Sequence, residues 1–227
     1  MIKLQQRHGF FCKFLAVFLT AALLMGMLPF SVDAADDPAS IYGPKRDYCD
    51  DYRDVTIGQI RRFLESYRGL LGTESVWKQY DLDPTGVAIW ANFDKEYEAE
   101  LKKGGNLTPA EIIYWCCKQH RCNPVLLMTI LELEQSLIEG TPATVTNIRY
   151  HFRLAAGFLQ EEYYGFFGQV LAAAWRFREF QKNGSTLREA YEVYTPPTPY
   201  NAAFSRFASC YDAYAKWIAQ VADKYLF

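Results

Sequence analysis

A glutamate interrupts an otherwise apolar helical pattern in CNPVLLMTILELEQS, residues 122–136. Leu127, Leu131 and Glu134 are spaced by four and three, so they share one stripe of a helix. A carboxyl group that is flanked by leucines loses hydration, which disfavours its charged form and raises its pKa. A carboxylic acid that stays protonated near neutral pH can donate its proton to a leaving oxygen, as one acid does in glycosidases. The spacing therefore makes Glu134 a candidate general acid.

The same pattern has a structural interpretation. A glutamate at the edge of an apolar face commonly keeps its carboxylate in water, and perturbed pKa values mark functional sites only as a tendency. Glu132 lies about 200° around the helix from Glu134, so we expect it to face solvent, and the two carboxylates cannot act as a close pair. Spacing alone leaves both interpretations open.

The elements that must position Glu134 are two helices joined by a short turn. Thr108, Pro109 and Glu111 predict the start of the first helix, because a threonine cap and a glutamate three residues later form a capping box. The pair Asn123–Pro124 predicts the start of the second helix, since proline is tolerated in a first helical turn. The second helix carries Glu134.

The rest of the chain also favours helices. Apolar spacing predicts further helices over 54–72, 148–160, 170–184, from Thr186 onward, and from Asn201 to the end, with a Gly-Thr-Pro stop at 140–142. No segment shows a persuasive strand alternation, and no internal repeat occurs. The fold class that we predict is mostly α, in a single helical domain.

The first 34 residues have the pattern of a signal peptide. Basic residues precede an uncharged apolar run, and Val32 and Ala34 fit the small-residue rule for cleavage after Ala34. The run is short for a spanning helix, which needs roughly 20 apolar residues. We expect a tether at 35–53, a helical domain at 54–227, and a secreted mature protein.

Composition argues against several functional classes. The net charge of −2 at pH 7 gives no basic field for nucleic acid. No segment after the signal peptide is apolar enough over a sufficient length to span a membrane, and nothing indicates a cofactor. Cys116, Cys117 and Cys122 lack a second pair of ligands for zinc, so we predict no metal site. The number of cysteines after the signal peptide is odd, and Cys49 with Cys210 is one pair that could tie the termini together.

Residues 108–138, TPAEIIYWCCKQHRCNPVLLMTILELEQSLI, resemble the lysozyme-like lytic transglycosylase superfamily. There, a helix that begins near an Asn-Pro pair carries a catalytic glutamate followed closely by serine. The resemblance is strongest to a group of secreted bacterial proteins with an EQSLI segment. Three further segments resemble that group in matching order: TIGQIRRFLESYRG (56–69), YGFFGQVLAAAWRF (164–177) and EVYTPPTPYNAAF (192–204).

The resemblance implies a lysozyme-like domain that is associated with the cell wall and cleaves a glycan of alternating amino sugars, as in peptidoglycan. Glu134 would protonate the glycosidic oxygen. Ser136 corresponds loosely to the family serine, because Gln135 intervenes. A two-carboxylate hydrolase needs a second acid within roughly 5 to 9.5 Å, and no motif selects one. A lone glutamate suits the lytic transglycosylase route, in which a hydroxyl of the substrate attacks and leaves an anhydro-sugar end.

The resemblance also implies substrate-binding residues. Gln169 takes the place of a glutamine that lines the cleft beside the acid, with a surface amide at a helix start as the alternative. Tyr194 would be a second cleft residue, with an anchor for the proline-rich loop as its alternative. Tyr164 and Phe167 would contribute to the core and to the wall of the groove.

Two other functions remain open from the sequence. One is a non-catalytic module that binds peptidoglycan or a related glycan on the same scaffold. The other is a helical protein that binds a membrane surface or a partner through the aromatic stripe of the last helix, which is explained more simply as core.

Overall fold

The computed structural model describes residues 48–49, 55–80, 107–196 and 203–224. All of these residues belong to one compact unit, Ala35–Phe227. The predicted signal peptide, most of the predicted tether and the predicted cap Asn201 lie outside the described residues.

Every regular element in the described ranges is helical. In chain order the elements are α1 (Ile57–Tyr67), α2 (Glu74–Trp77), α3 (Pro109–His120), α4 (Pro124–Gln135), α5 (Ile148–Arg153), a 3₁₀ turn (Glu161–Tyr163), α6 (Phe166–Lys182), α7 (Leu187–Tyr194) and α8 (Phe204–Lys224). No β-strand occurs in this part of the chain, and the predicted mostly α class is confirmed. None of the described helices combines the length and the apolar character that crossing a membrane requires.

Local capping signals set the starts of the helices. At α3, the Thr108 hydroxyl accepts the N–H of Glu111, and the Glu111 carboxylate accepts the N–H of Thr108. Thr186 and Glu189 form the same box at α7. Each box satisfies donors that a helix start leaves without partners. The capping box predicted at Thr108 and the helix start predicted at Thr186 are confirmed.

Helix α4 lies in the middle of the core. Every residue from Pro124 to Leu131 is buried, because α4 packs against α3, α6 and α8. A helix that is surrounded in this way is apolar on all sides. Glu134 lies in the last turn of α4, where the helix leaves the core.

Helix α4 ends before the predicted Gly-Thr-Pro stop. Ser136 follows the helix in a left-handed conformation with a φ of 50°. The chain then turns, and Oε2 of Glu132 accepts the N–H groups of Ile138 at 3.0 Å and Glu139 at 2.9 Å. The prediction that Glu132 faces solvent is wrong, because its carboxylate satisfies backbone donors in the turn after the helix.

The cysteines occupy two different surroundings. Cys49, from the predicted tether, is 0% exposed and is hydrogen-bonded to Cys122, with Cys117 nearby. Cys210 is hydrogen-bonded to Tyr214 on α8. No disulfide bond joins Cys49 to Cys210 in the structure, and the two side chains have the different neighbours just described.

Asn123 joins the start of α4 to α8. Its side-chain oxygen accepts the N–H of Val125 at 2.9 Å, and its amide donates to the Tyr211 hydroxyl at 2.8 Å. The residue is 2% exposed. Both bonds are therefore shielded from water, where a lost partner is costly.

We expect Asn123→Ala to lower the free energy of unfolding by about 2 kcal/mol, because it removes a helix cap and a buried hydrogen bond. Denaturant unfolding measures the change. Asn183→Ala, at the exposed C-terminal end of α6, is the matched control, and its effect should stay within about 0.5 kcal/mol. Equal losses at the two positions would contradict this account of the turn.

Candidate active site

The Glu134 carboxyl group lies where three segments meet: the end of α4, the loop after α5 and the end of α7. Thr195, which follows α7 and is buried, donates its hydroxyl to Oε1 of Glu134 at 2.7 Å. Gly157, in the loop after α5, lies against the other oxygen, so that a Cβ at position 157 would be 2.8 Å from Oε2. Each carboxylate oxygen thus has its own neighbour.

Burial dominates the electrostatics of Glu134. Loss of solvent raises the pKa of its carboxyl group above the ordinary value of 4.5, and the hydrogen bond from Thr195 offsets part of this effect. Burial disfavours the charged form, whereas a donor to the carboxylate favours it. The raised pKa predicted from the leucine-flanked stripe is confirmed.

Gly157 allows the backbone to approach the carboxyl group closely. Its φ is +84°, a conformation that residues with a Cβ rarely adopt. Its N–H donates to the carbonyl of Leu154 at 2.8 Å. The helix predicted over 148–160 ends at Arg153, since the chain turns here to reach Glu134.

Gln169 holds this loop on both sides of Gly157. Its Oε1 accepts the N–H groups of Ala156 at 3.1 Å and Phe158 at 3.0 Å. Its Nε2 donates to the carbonyls of Phe158 at 2.8 Å and Tyr163 at 3.1 Å. The side chain is 0% exposed, and these four bonds fill the hydrogen-bonding capacity of an amide.

Both expectations for Gln169 are therefore wrong. It is not a surface amide, and it has no donor or acceptor left for a ligand in the cleft. It acts on the site indirectly, by fixing the loop that carries Gly157 against Glu134.

Tyr194 fastens the same loop from α7. Its hydroxyl donates to the carbonyl of Ala156. Its ring stacks on Phe177 with centroids 4.9 Å apart and meets Phe158 edge-on at 5.4 Å. Burial and the nearby charge of Glu134 raise the pKa of Tyr194. Tyr194 is thus a neighbour of the acid, and it anchors the loop after α5.

Three other residues that the resemblance implies at the substrate site, Ser136, Tyr164 and Phe167, make different contacts in the structure. Ser136 is exposed and caps α4 through its backbone N–H, and its hydroxyl makes no hydrogen bond to Glu134. Tyr164 is partly exposed, with its hydroxyl on the carbonyl of Leu159 and the guanidinium of Arg153 over its ring at 4.0 Å. Phe167 is 1% exposed, so the core part of its expectation is confirmed and the groove-wall part is wrong, because a ring inside the core offers no surface to a ligand.

The other acidic residues near α4 lie in other surroundings and make other contacts. Glu139 accepts the Tyr214 hydroxyl at 3.0 Å, and Glu132 holds the turn after α4. Glu161 and Glu162 are exposed on the 3₁₀ turn. Among the described residues, burial and the Thr195 hydroxyl are what shift the pKa of Glu134. In the ranges that the structure covers, no cluster of three or more metal-binding side chains occurs.

Thr195 and Gly157 are the residues that sequence reasoning missed. The Tyr-Thr-Pro segment pointed to the right place but favoured its tyrosine. No local pattern marked Gly157, since its role depends on a side chain that is distant in the sequence.

Comparisons of the chain with protein-family models, with curated proteins and with solved structures found no match.

We expect Thr195→Val to raise the pKa of Glu134 further, because the hydroxyl that favours the charged form is removed. A carbon-detected NMR titration of the glutamate carboxyl groups measures this pKa. Thr195→Ser is the matched control, since it keeps a hydroxyl at the same position and should leave the pKa close to that of the wild type. An unchanged pKa in the valine variant would show that the bond has no electrostatic role.

Proposed function

We propose that this protein is a secreted enzyme that cleaves cell-wall glycans, of the peptidoglycan lytic transglycosylase or muramidase type, with Glu134 as general acid and base. One observation carries the proposal: burial raises the pKa of the Glu134 carboxyl group, and the two oxygens of that group have different neighbours. Oε1 accepts from Thr195, and Oε2 lies beside Gly157.

This asymmetry assigns the proton of the neutral acid. Because the Thr195 hydroxyl donates to Oε1, the proton belongs on Oε2. Gly157 carries only a hydrogen on the side that faces Oε2, because a Cβ there would lie 2.8 Å from that oxygen. Gly157 is partly exposed. A glycosidic oxygen that hydrogen-bonds to Oε2 receives the proton as the bond to the leaving sugar breaks.

The same carboxyl group then serves as the base. After it loses its proton, Glu134 is a carboxylate, and the Thr195 hydroxyl stabilises that charge. The carboxylate can accept the proton of the substrate hydroxyl that attacks the anomeric carbon. One carboxyl group that acts first as acid and then as base suits the lytic transglycosylase route, in which a hydroxyl of the substrate attacks, whereas hydrolysis by two carboxyl groups needs a second acid.

The location is part of the proposal. The predicted signal peptide brings the chain to the wall, where peptidoglycan is the abundant glycan of alternating amino sugars.

A non-catalytic module that binds peptidoglycan is the second candidate. The placement of Ser136 favours it, because Gln135 separates the two residues and the serine caps the helix outside the hydrogen bonds of the site. Such a module would sediment with isolated walls and release no soluble fragments. Turnover would exclude it.

We expect Glu134→Gln to reduce the release of soluble fragments from purified peptidoglycan by about 10²- to 10⁴-fold, because the amide cannot transfer the proton. Glu192→Gln, an exposed change on α7, is the control and should keep full activity. Full activity in the Glu134 variant would exclude this residue as the acid. Mass spectrometry of the wild-type products distinguishes anhydro ends from reducing ends.

We also expect Gly157→Ala to lower the release rate by about 100-fold, because the new methyl group displaces Oε2 and misplaces the acid. Gly184→Ala is the matched control. Its φ of +80° is close to the +84° of Gly157, and no atom lies within 4 Å of its added Cβ. Both variants carry similar backbone strain, of about 1 to 2 kcal/mol. Equal activity in the two variants would contradict the role of Gly157.

A further inference from the structure

Two buried thiols meet where the N-terminal part of the chain contacts the turn between α3 and α4. Cys49 and Cys122 are each 0% exposed, and their side chains are hydrogen-bonded to each other. Cys122 directly precedes Asn123, the cap of α4. Tyr48, beside Cys49, is also buried at 2% exposure.

The neighbouring cysteines do not replace this contact. Cys122 donates its N–H to the carbonyl of Cys117 at 2.9 Å. Its sulfur lies 4.0 Å from the carbonyl oxygen of Asn123, and the cysteine to which its side chain is hydrogen-bonded is Cys49. Within the described ranges, no group of three or more metal-binding side chains is present. Two thiols in contact without the further ligands of a zinc site are suited to a covalent bond with each other.

We propose that Cys49 and Cys122 form a disulfide bond when the chain folds in an oxidising compartment. The two S–H bonds break, one S–S bond forms, and the two thiols together lose two electrons and two protons. A disulfide oxidant, such as an oxidised dithiol protein or oxidised glutathione, takes them up and becomes two thiols. The bond fastens the N-terminal segment to the turn that starts α4.

The burial of the two sulfurs determines when the bond forms. The thiolate is the reactive species, and burial raises the pKa of Cys122 well above its ordinary value. Exchange in the folded protein is therefore slow. The bond forms before the core closes, and afterwards the core protects it from reductants.

The test uses the full chain, which is unfolded and reduced, and then refolded in a buffer of oxidised and reduced glutathione. Digestion without reductant, followed by mass spectrometry, should yield a peptide pair that joins Cys49 to Cys122. A chain that has been reduced under denaturing conditions and refolded in the reduced state should have a thermal midpoint about 5 to 15 °C below that of the oxidised, refolded chain. The readout is independent of glycan cleavage, so its failure would leave the proposed function untouched.

Variants separate this bond from other pairings. Cys49→Ala and Cys122→Ala should each abolish the linked peptide and the effect of reduction on the thermal midpoint, whereas Cys210→Ala should keep both. A bond between Cys122 and Cys117, a bond between Cys49 and Cys210, or free thiols at both proposed positions in the refolded wild type would overturn the proposal. The peptide map of the wild type decides the question even where a variant fails to fold.

Discussion

The buried amide of Gln169 holds the loop that meets Glu134, and the candidate site depends on that loop. Its four hydrogen bonds to Ala156, Phe158 and Tyr163 fix the backbone on both sides of Gly157. Tyr194 adds a bond to the same loop from α7. The carboxyl group can therefore be buried against backbone, without a side chain in the way, and its pKa rises.

This arrangement lowers the stability of the protein at neutral pH. The pKa of Glu134 is raised in the folded state, so its contribution to stability is present below the ordinary value of 4.5 and is lost as the pH rises through the folded value. The buried turns of α4 and the cap at Asn123 offset this loss. An acid that is poised for proton transfer commonly costs stability in this way.

The sequence predicted the features that depend on neighbouring residues. The capping box of Thr108 and the start of α4 at Asn123 are set within a few positions, and the stripe of Glu134 follows from helical period. It could not predict the hydrogen bond from Thr195 to Glu134, because the two residues are distant in the sequence. For the same reason it could not predict that the loop backbone occupies every donor and acceptor of the Gln169 amide. Helical period also could not predict the surroundings of Glu132, because the turn after α4 supplies the N–H groups that its carboxylate accepts.

The most direct test of the central claim compares two pH dependences of the wild-type protein. One is the rate at which fragments are released from purified peptidoglycan, and the other is the NMR titration of the Glu134 carboxyl group. If Glu134 is the general acid, the rate falls as the pH rises through the pKa of that carboxyl group, because only the protonated form can donate. A rate that stays constant while Glu134 loses its proton would contradict the account.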